Sequence, residues 1–163
     1  MTPNNFKIRE IKPEDNPKIA QAIRDVLIEF GVPKVGTAYA DKILDTLFEA
    51  YQFEKAIYYV IEKDGEIFGG AGIKQLDNYV GNVCELQKMY FLPKARGIGF
   101  GSIMMEICLQ KAKEYGFEQC YLETLPYMED ARKLYRKVGF KDLDVPMGDT
   151  GHYSCNLWML KAL

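Results

Sequence analysis

"FLPKARGIGFGSIMMEICLQKAKEYG", residues 91–116, sets an arginine and three alternating glycines directly before a long amphipathic run. Glycine costs a helix about 1 kcal/mol relative to alanine, so a helix that opens on several of them is shaped around something. Strand, glycine-rich loop and helix in that order form an anion site. The first helical N–H groups lack partners within the helix, and the macrodipole places about half a positive charge there. Gly97, Gly99 and Gly101 let a ligand approach the backbone, and Arg96 adds a forked cation suited to phosphate oxygens. A P-loop would end in Gly-Lys-Ser/Thr, which is absent. A dinucleotide fingerprint would space its glycines G-x-G-x-x-G after the first strand of a parallel sheet, whereas here the spacing is G-x-G-x-G and a hairpin precedes it. A glycine-rich connection that binds nothing is the remaining alternative.

Outward from the loop, strand-like and helix-like runs alternate. Upstream, "VCELQKMYFLP" is a strand that Pro93 ends. Before it, "AIYYVIEK" and "EIFGGAGIKQ" flank Asp64-Gly65, a dipeptide suited to a type I′ turn, and so read as a β-hairpin. The chain opens with a strand in "FKIREI" and a helix carrying Ile19, Ile23, Val26, Leu27 and Phe30, stopped by Gly31. A second helix is expected in "DKILDTLFEAYQF", residues 41–53, started by Asp41. Downstream, Gly116 breaks the chain before the strand "EQCYLET". A last helix is expected from about Tyr127 to Val138, and "GFKDLD" and "HYSCNLWMLKAL" read as closing strands. The 163 residues make one domain, 1–163, of mixed α/β class, without repeat, linker or low-complexity segment.

Composition narrows the partners. The formal net charge of −2 and a pI near 5.5 argue against nucleic acid, which selects a basic face. No apolar stretch reaches membrane-span length, and the N-terminus has no hydrophobic signal region. Cys84, Cys108, Cys120 and Cys155 are scattered, without the close ligand pairs of a zinc site. They read as reduced core thiols of a cytoplasmic protein that holds no metal.

Two motifs together carry a resemblance. The loop matches R/Q-x-x-G-x-G/A at Arg96, Gly99 and Gly101. A later A-x-x-L-Y-x-K-x-G-F pattern falls on Ala131, Leu134, Tyr135, Lys137, Gly139 and Phe140. In this order and at this distance the chain resembles the GCN5-related N-acetyltransferase (GNAT) superfamily over most of its length. The resemblance implies an acyl-CoA N-acyltransferase fold with a central, mostly antiparallel sheet and helices on both faces. It also implies acetyl-CoA as co-substrate, an amine as acceptor, and a monomer or homodimer.

It further implies roles. The backbone of Gly97, Ile98, Gly99, Phe100, Gly101 and Ser102 cradles the pyrophosphate beside Arg96. Met89, Tyr90 and Phe91 stand where the strand bulges to free backbone groups for the pantetheine arm and thioester, with the Met89 N–H at the carbonyl oxygen. Tyr135, by periodicity a half-buried core tyrosine, occupies the position whose hydroxyl protonates the departing thiolate. Glu85 stands where one branch carries a glutamate base, with an exposed strand glutamate as the plain alternative. Glu123 is the rival base or an anchor for the amine. His152 reads by default as a surface histidine, in a loop that borders the acceptor cleft in relatives. Phe30 and Tyr39, in the loop between the first two helices, are expected to line the acceptor pocket. Met128 stands where an asparagine often contacts pantetheine, the one feature that leans toward a non-catalytic acetyl-CoA-binding regulatory module.

Overall fold

The computed structural model describes residues 5–126 and 128–163. Among the described residues there are seven strands: β1 (Lys7–Glu10), β2 (Ile57–Lys63), β3 (Glu66–Gln75), β4 (Val83–Phe91), β5 (Gln119–Thr124), β6 (Lys141–Leu143) and β7 (Leu157–Ala162). Four α-helices accompany them: α1 (Asn16–Glu29), α2 (Leu47–Ala50), α3 (Phe100–Glu114) and α4 (Glu129–Lys137). The strands form one sheet in the order β1-β2-β3-β4-β5-β7-β6, and β4 with β5 is its parallel pair.

The sheet is apolar on both faces because each central strand alternates between two layers. On β2, Tyr58 and Val60 join Ile19, Ile23 and Leu27 of α1, while Ile57 and Ile61 join Phe100, Met104 and Cys108 of α3. Tyr135 of α4 packs in the α3 layer. Helices thus cover both faces, as the resemblance implies. Asp64 and Gly65 take φ of 52° and 80°, the left-handed pair that a two-residue hairpin turn demands.

The second helix departs from expectation. Residues Lys42–Thr46 are a 3₁₀ helix, and only Leu47–Ala50 are α-helical. Asp41 makes no cap hydrogen bond because its carboxylate is turned inward to Lys88 and His152. Thr46, at φ −127° and ψ 44°, then interrupts the ladder. The final strand also starts later than its sequence suggests, at Leu157. His152 to Cys155 form a turn closed by the Cys155 N–H on the His152 carbonyl at 3.0 Å. Tyr127, the expected first residue of the last helix, lies outside the described residues, and α4 begins at Glu129.

Two irregularities build the centre. The parallel pairing of β4 with β5 covers only Val83–Glu85 against Gln119–Tyr121, after which the two strands diverge. Between Gly70↔Tyr90 and Gly72↔Gln87, β4 spends three steps against two on β3, which is a β-bulge at Lys88. Lys88 sits at φ 51°, in the left-handed region. Its carbonyl accepts a hydrogen bond from the Tyr58 hydroxyl at 2.8 Å, which secures the bulge. The glycines of β3 make room for that tyrosine: a Cβ on Gly70 would stand 2.6 Å from the Tyr58 ring and 2.3 Å from the Tyr59 carbonyl oxygen.

Candidate active site

The divergence of β4 from β5 opens a cavity of about 50 Å³ in the middle of the sheet. Met89 and Tyr90 line it from β4, Glu123 and Thr124 from β5, and Ala131 and Tyr135 from α4. Met128 contributes to the same wall. Phe91 packs against the α3 layer just beyond. The bulge decides which residues meet here. Cys84 and Leu86 face the α3 layer, and after the bulge Met89 and Phe91 face it too, while Glu85 and Gln87 turn to the opposite face.

The glycine loop lies at the head of α3. Gly97 and Gly99 have φ of 72° and 91°, and a Cβ at either would meet nothing within 4 Å. Their conformation disfavours a side chain and the space beside them is open, which suits the close approach of an anionic group. The Ile103 N–H bonds the Gly99 carbonyl at 3.2 Å, so the N–H groups of Phe100, Gly101 and Ser102 precede the helical ladder. Gly101 has a different reason: its Cβ would stand 2.9 Å from Leu134, so it sets the close packing of α3 on α4. The Phe100 side chain belongs to the core, edge-on to Phe6 at 5.3 Å, and Ile98 packs at the rim of that core. These residues offer backbone rather than side chains.

Arg96 is engaged by protein groups. Its guanidinium forms a two-pronged pair with Glu29 at the end of α1, at 2.7 and 2.8 Å, and its Nε donates to the Phe91 carbonyl at 2.8 Å. It stacks over Phe30, whose ring lies 5.1 Å away. Phe30 is thereby placed beside the glycine loop and outside the cavity wall. Tyr39 packs on the α1 layer between Arg24 and Lys34, also outside the wall. From the loop that carries Phe30 and Tyr39, Val32 and Thr37 reach the cavity instead. Short side chains carry no motif, so sequence reasoning had no signal for them.

Tyr135 is buried, and burial together with the neighbouring Cys120 pushes its hydroxyl well above the usual tyrosine range. It therefore holds its proton at neutral pH, as a donor to a leaving thiolate must.

Behind the cavity lies a polar cluster that the sequence only half disclosed. Glu85 is 3% exposed. Burial pushes its carboxyl up to about 7, the hydrogen bond from Gln87 opposes that rise, and the charge of Glu123 adds to it. The Gln87 amide donates to Glu85 at 2.6 Å and accepts from the Tyr51 hydroxyl at 2.6 Å, which orients it. Glu123 accepts from the Tyr121 hydroxyl at 2.7 Å and from the Thr150 hydroxyl. His152 is no surface residue: its side chain is 15% exposed, with Nε2 2.7 Å from Asp41 and Nδ1 3.9 Å from Glu123. The Lys88 ammonium, buried at the bulge, shares the same Asp41 oxygen at 3.3 Å. Burial would raise the Asp41 carboxyl, but the His152 hydrogen bond and the two cations hold it below its ordinary value. Asp41 and Lys88 are the site residues that sequence reading missed. A lysine at φ > 0 and an aspartate read as a helix start give no local sign of one another.

The four cysteines are free. Three are core residues, while Cys155 is half-buried on the cavity wall, where burial and three nearby carboxylates push its thiol up to about 12. Among the described residues no group of three or more His, Cys, Asp or Glu side chains could hold a metal ion, and no helix is long and apolar enough to cross a membrane.

A sheet forked between its parallel strands, a glycine-lined helix head beside the fork and a buried tyrosine in its wall make up the candidate site. The family profile of the acetyltransferase (GNAT) family matches residues 21–140, and the chain belongs to that family and is an N-acetyltransferase. It is 40% identical over 164 aligned residues, covering all of this chain and 98% of the relative, to the uncharacterized N-acetyltransferase YjgM of Escherichia coli K12. Among solved structures it resembles a GNAT-family acetyltransferase of Staphylococcus aureus Mu50, with a TM-score of 0.85, 20% identity and 97% and 99% of the two chains covered. It also resembles YncA of Salmonella typhimurium with its cofactor acetyl-CoA, with a TM-score of 0.76, 17% identity and 98% and 95% covered.

Proposed function

We propose that this enzyme transfers the acetyl group of acetyl-CoA directly to a primary amine of a small molecule or protein, without a covalent enzyme intermediate. The observation that carries the reading is the fork between β4 and β5. It opens one cavity lined by Met89, Tyr135 and Glu123, while Glu85 is buried on the opposite face of β4. The loop from Gly97 to Ser102 fits the pyrophosphate, because open space at two left-handed glycines meets a helix N-terminus. Acetyl-CoA, when bound there, supplies the activated acyl group.

The chain's own residues do the rest. The backbone at the bulge, with the Met89 N–H as donor, polarises the thioester carbonyl. Either Glu85, whose carboxyl burial pushes up to about 7, or Glu123 on the cavity wall draws the proton from the amine, and the other carboxylate holds that amine in place. The Tyr135 hydroxyl then protonates the departing sulfur. Cys155 is a poor nucleophile with its thiol pushed up to about 12, which supports direct transfer over an acyl-cysteine route.

Thiol release from acetyl-CoA across a panel of primary amines tests the reading. Amine-dependent release of CoA together with an N-acetylated product is the expected result. Tight CoA binding with no release for any amine would make the chain a binding module instead.

A further inference from the structure

The cluster behind the cavity holds more charge than holding an amine requires. From the cavity outward, Glu123 forms part of the wall with its side chain 6% exposed, and His152 faces it with Nδ1 3.9 Å from the Glu123 Oε1. His152 Nε2 then meets Asp41 at 2.7 Å, and Asp41 is 24% exposed. The sequence from cavity to surface is therefore carboxylate, imidazole, carboxylate. An ionised Asp41 accepts the Nε2 proton, which fixes the tautomer and leaves the Nδ1 lone pair toward Glu123. The Thr150 hydroxyl both donates to Glu123 and accepts the His152 backbone N–H at 3.3 Å, so one side chain sets the relative position of the two groups.

We propose that Glu123 and His152, with Asp41 orienting the imidazole, form the route by which the proton taken from the acceptor amine leaves for solvent. The proposal rests on amine acetylation as the reaction. It does not rest on Glu85, because the route starts at the cavity wall. The ammonium N–H bond breaks and the proton passes to Glu123 Oε1. A shift of about 1 Å brings Nδ1 into hydrogen-bond range, and the proton moves to the imidazole. The imidazolium gives its Nε2 proton to Asp41, whose side chain is 24% exposed and releases it to bulk water. The neutral ring then exchanges back to its Nε2–H tautomer through water. No redox partner is needed, and the amine nitrogen keeps its lone pair for attack.

The charged groups facing His152 are Asp41 from the 3₁₀ approach, Glu85 and Lys88 from β4, and Glu123 from β5. Burial lowers the imidazole's basicity, and the Lys88 charge lowers it further. The Asp41 hydrogen bond and charge together outweigh both, so the net shift is upward. Lys88 has a separate part. It shares the Asp41 oxygen and keeps that carboxylate ionised at rest, so that Nε2 is the donor before the proton arrives.

His152→Ala tests the route. The expected result is a kcat lowered by about 10²-fold, unchanged affinity for acetyl-CoA, and activity restored by added imidazole in a concentration-dependent way. Wild-type turnover in His152→Ala, or a loss that imidazole fails to restore, would overturn the proposal. Asp41→Asn supplies the second variant, with folding followed by circular dichroism. It should move the rising limb of the pH–rate profile to lower pH, since it removes the main group that raises the imidazole, and an unmoved limb would also count against the route. The two ideas are separable. A Glu85→Gln enzyme with the wild-type profile, beside an imidazole-rescued His152→Ala, removes Glu85 from the mechanism and leaves the route standing.

Discussion

The Arg96 guanidinium lies against the Glu29 carboxylate at 2.7 and 2.8 Å, so the cation at the mouth of the glycine loop is tied to the last residue of α1. Phosphate oxygens bound at the loop would compete with Glu29 for the same forked donors. Both partners are substantially exposed, and exposed pairs are worth about 0.2–1 kcal/mol. Glu29→Gln should therefore tighten acetyl-CoA binding by up to about fivefold, an effect that fades with added salt. Arg96→Ala should weaken binding by about 1.5–3 kcal/mol if the guanidinium transfers to the cofactor. Calorimetry with CoA at two salt concentrations measures both. Affinity unchanged in each variant would leave Arg96 as a strut between α1 and the loop.

Tyr135→Phe keeps the ring that packs edge-on to Phe140 at 6.0 Å and removes only the hydroxyl. The fold and the CoA affinity should survive. Turnover should fall by about 10²–10⁴ if the hydroxyl is the general acid, and by less if it only donates a hydrogen bond. Steady-state kinetics beside a CoA titration separates the two, and unchanged turnover would make Tyr135 a packing residue.

Glu85 links pH to both rate and stability. If Glu85 takes the amine proton, kcat/KM should rise with pH through an apparent value of about 7 and Glu85→Gln should lose that limb, whereas a limb kept in Glu85→Gln leaves the proton to Glu123 and His152. The stability effect has the opposite sense. The folded value exceeds the ordinary 4.5, so the native state binds more protons, and stability falls as pH rises from about 4.5 to 7. At about 1.4 kcal/mol per unit, the loss is about 3 kcal/mol. Denaturation of Glu85→Gln against wild type from pH 4.5 to 8 should show a gap that moves in the variant's favour as pH rises. A gap independent of pH would place the group in water.

The bulge can be loosened without touching the cavity wall. Tyr58→Phe removes the hydrogen bond to the Lys88 carbonyl and leaves a buried acceptor unpaired, a cost of about 1–3 kcal/mol. If that bulge presents Met89 to the thioester, kcat should fall along with Tm. Denaturant unfolding and kinetics on the same preparation check this, and lost stability with wild-type kcat would free the bulge from the chemistry.

Much of the scaffold was readable along the chain. Asp64-Gly65 announces its hairpin, the apolar spacing of α1 and α4 announces their buried faces, and Gly97 to Gly101 announce a backbone cradle. These signals act over a few residues, through φ restrictions and helical periodicity, so no tertiary information is needed to see them. Tertiary structure decided what the cradle looks onto. The fork exists because β4 pairs with β5 over only three residues. The Asp41–His152 contact joins positions 111 residues apart, and Lys88 meets Asp41 only because the bulge turns it inward. Asp41 shows the competition plainly: local propensity offers it as a helix cap, and a buried lysine and an imidazole take its carboxylate instead. A buried charge must find its partner wherever the folded chain brings one, and that partner leaves no mark on the neighbouring sequence.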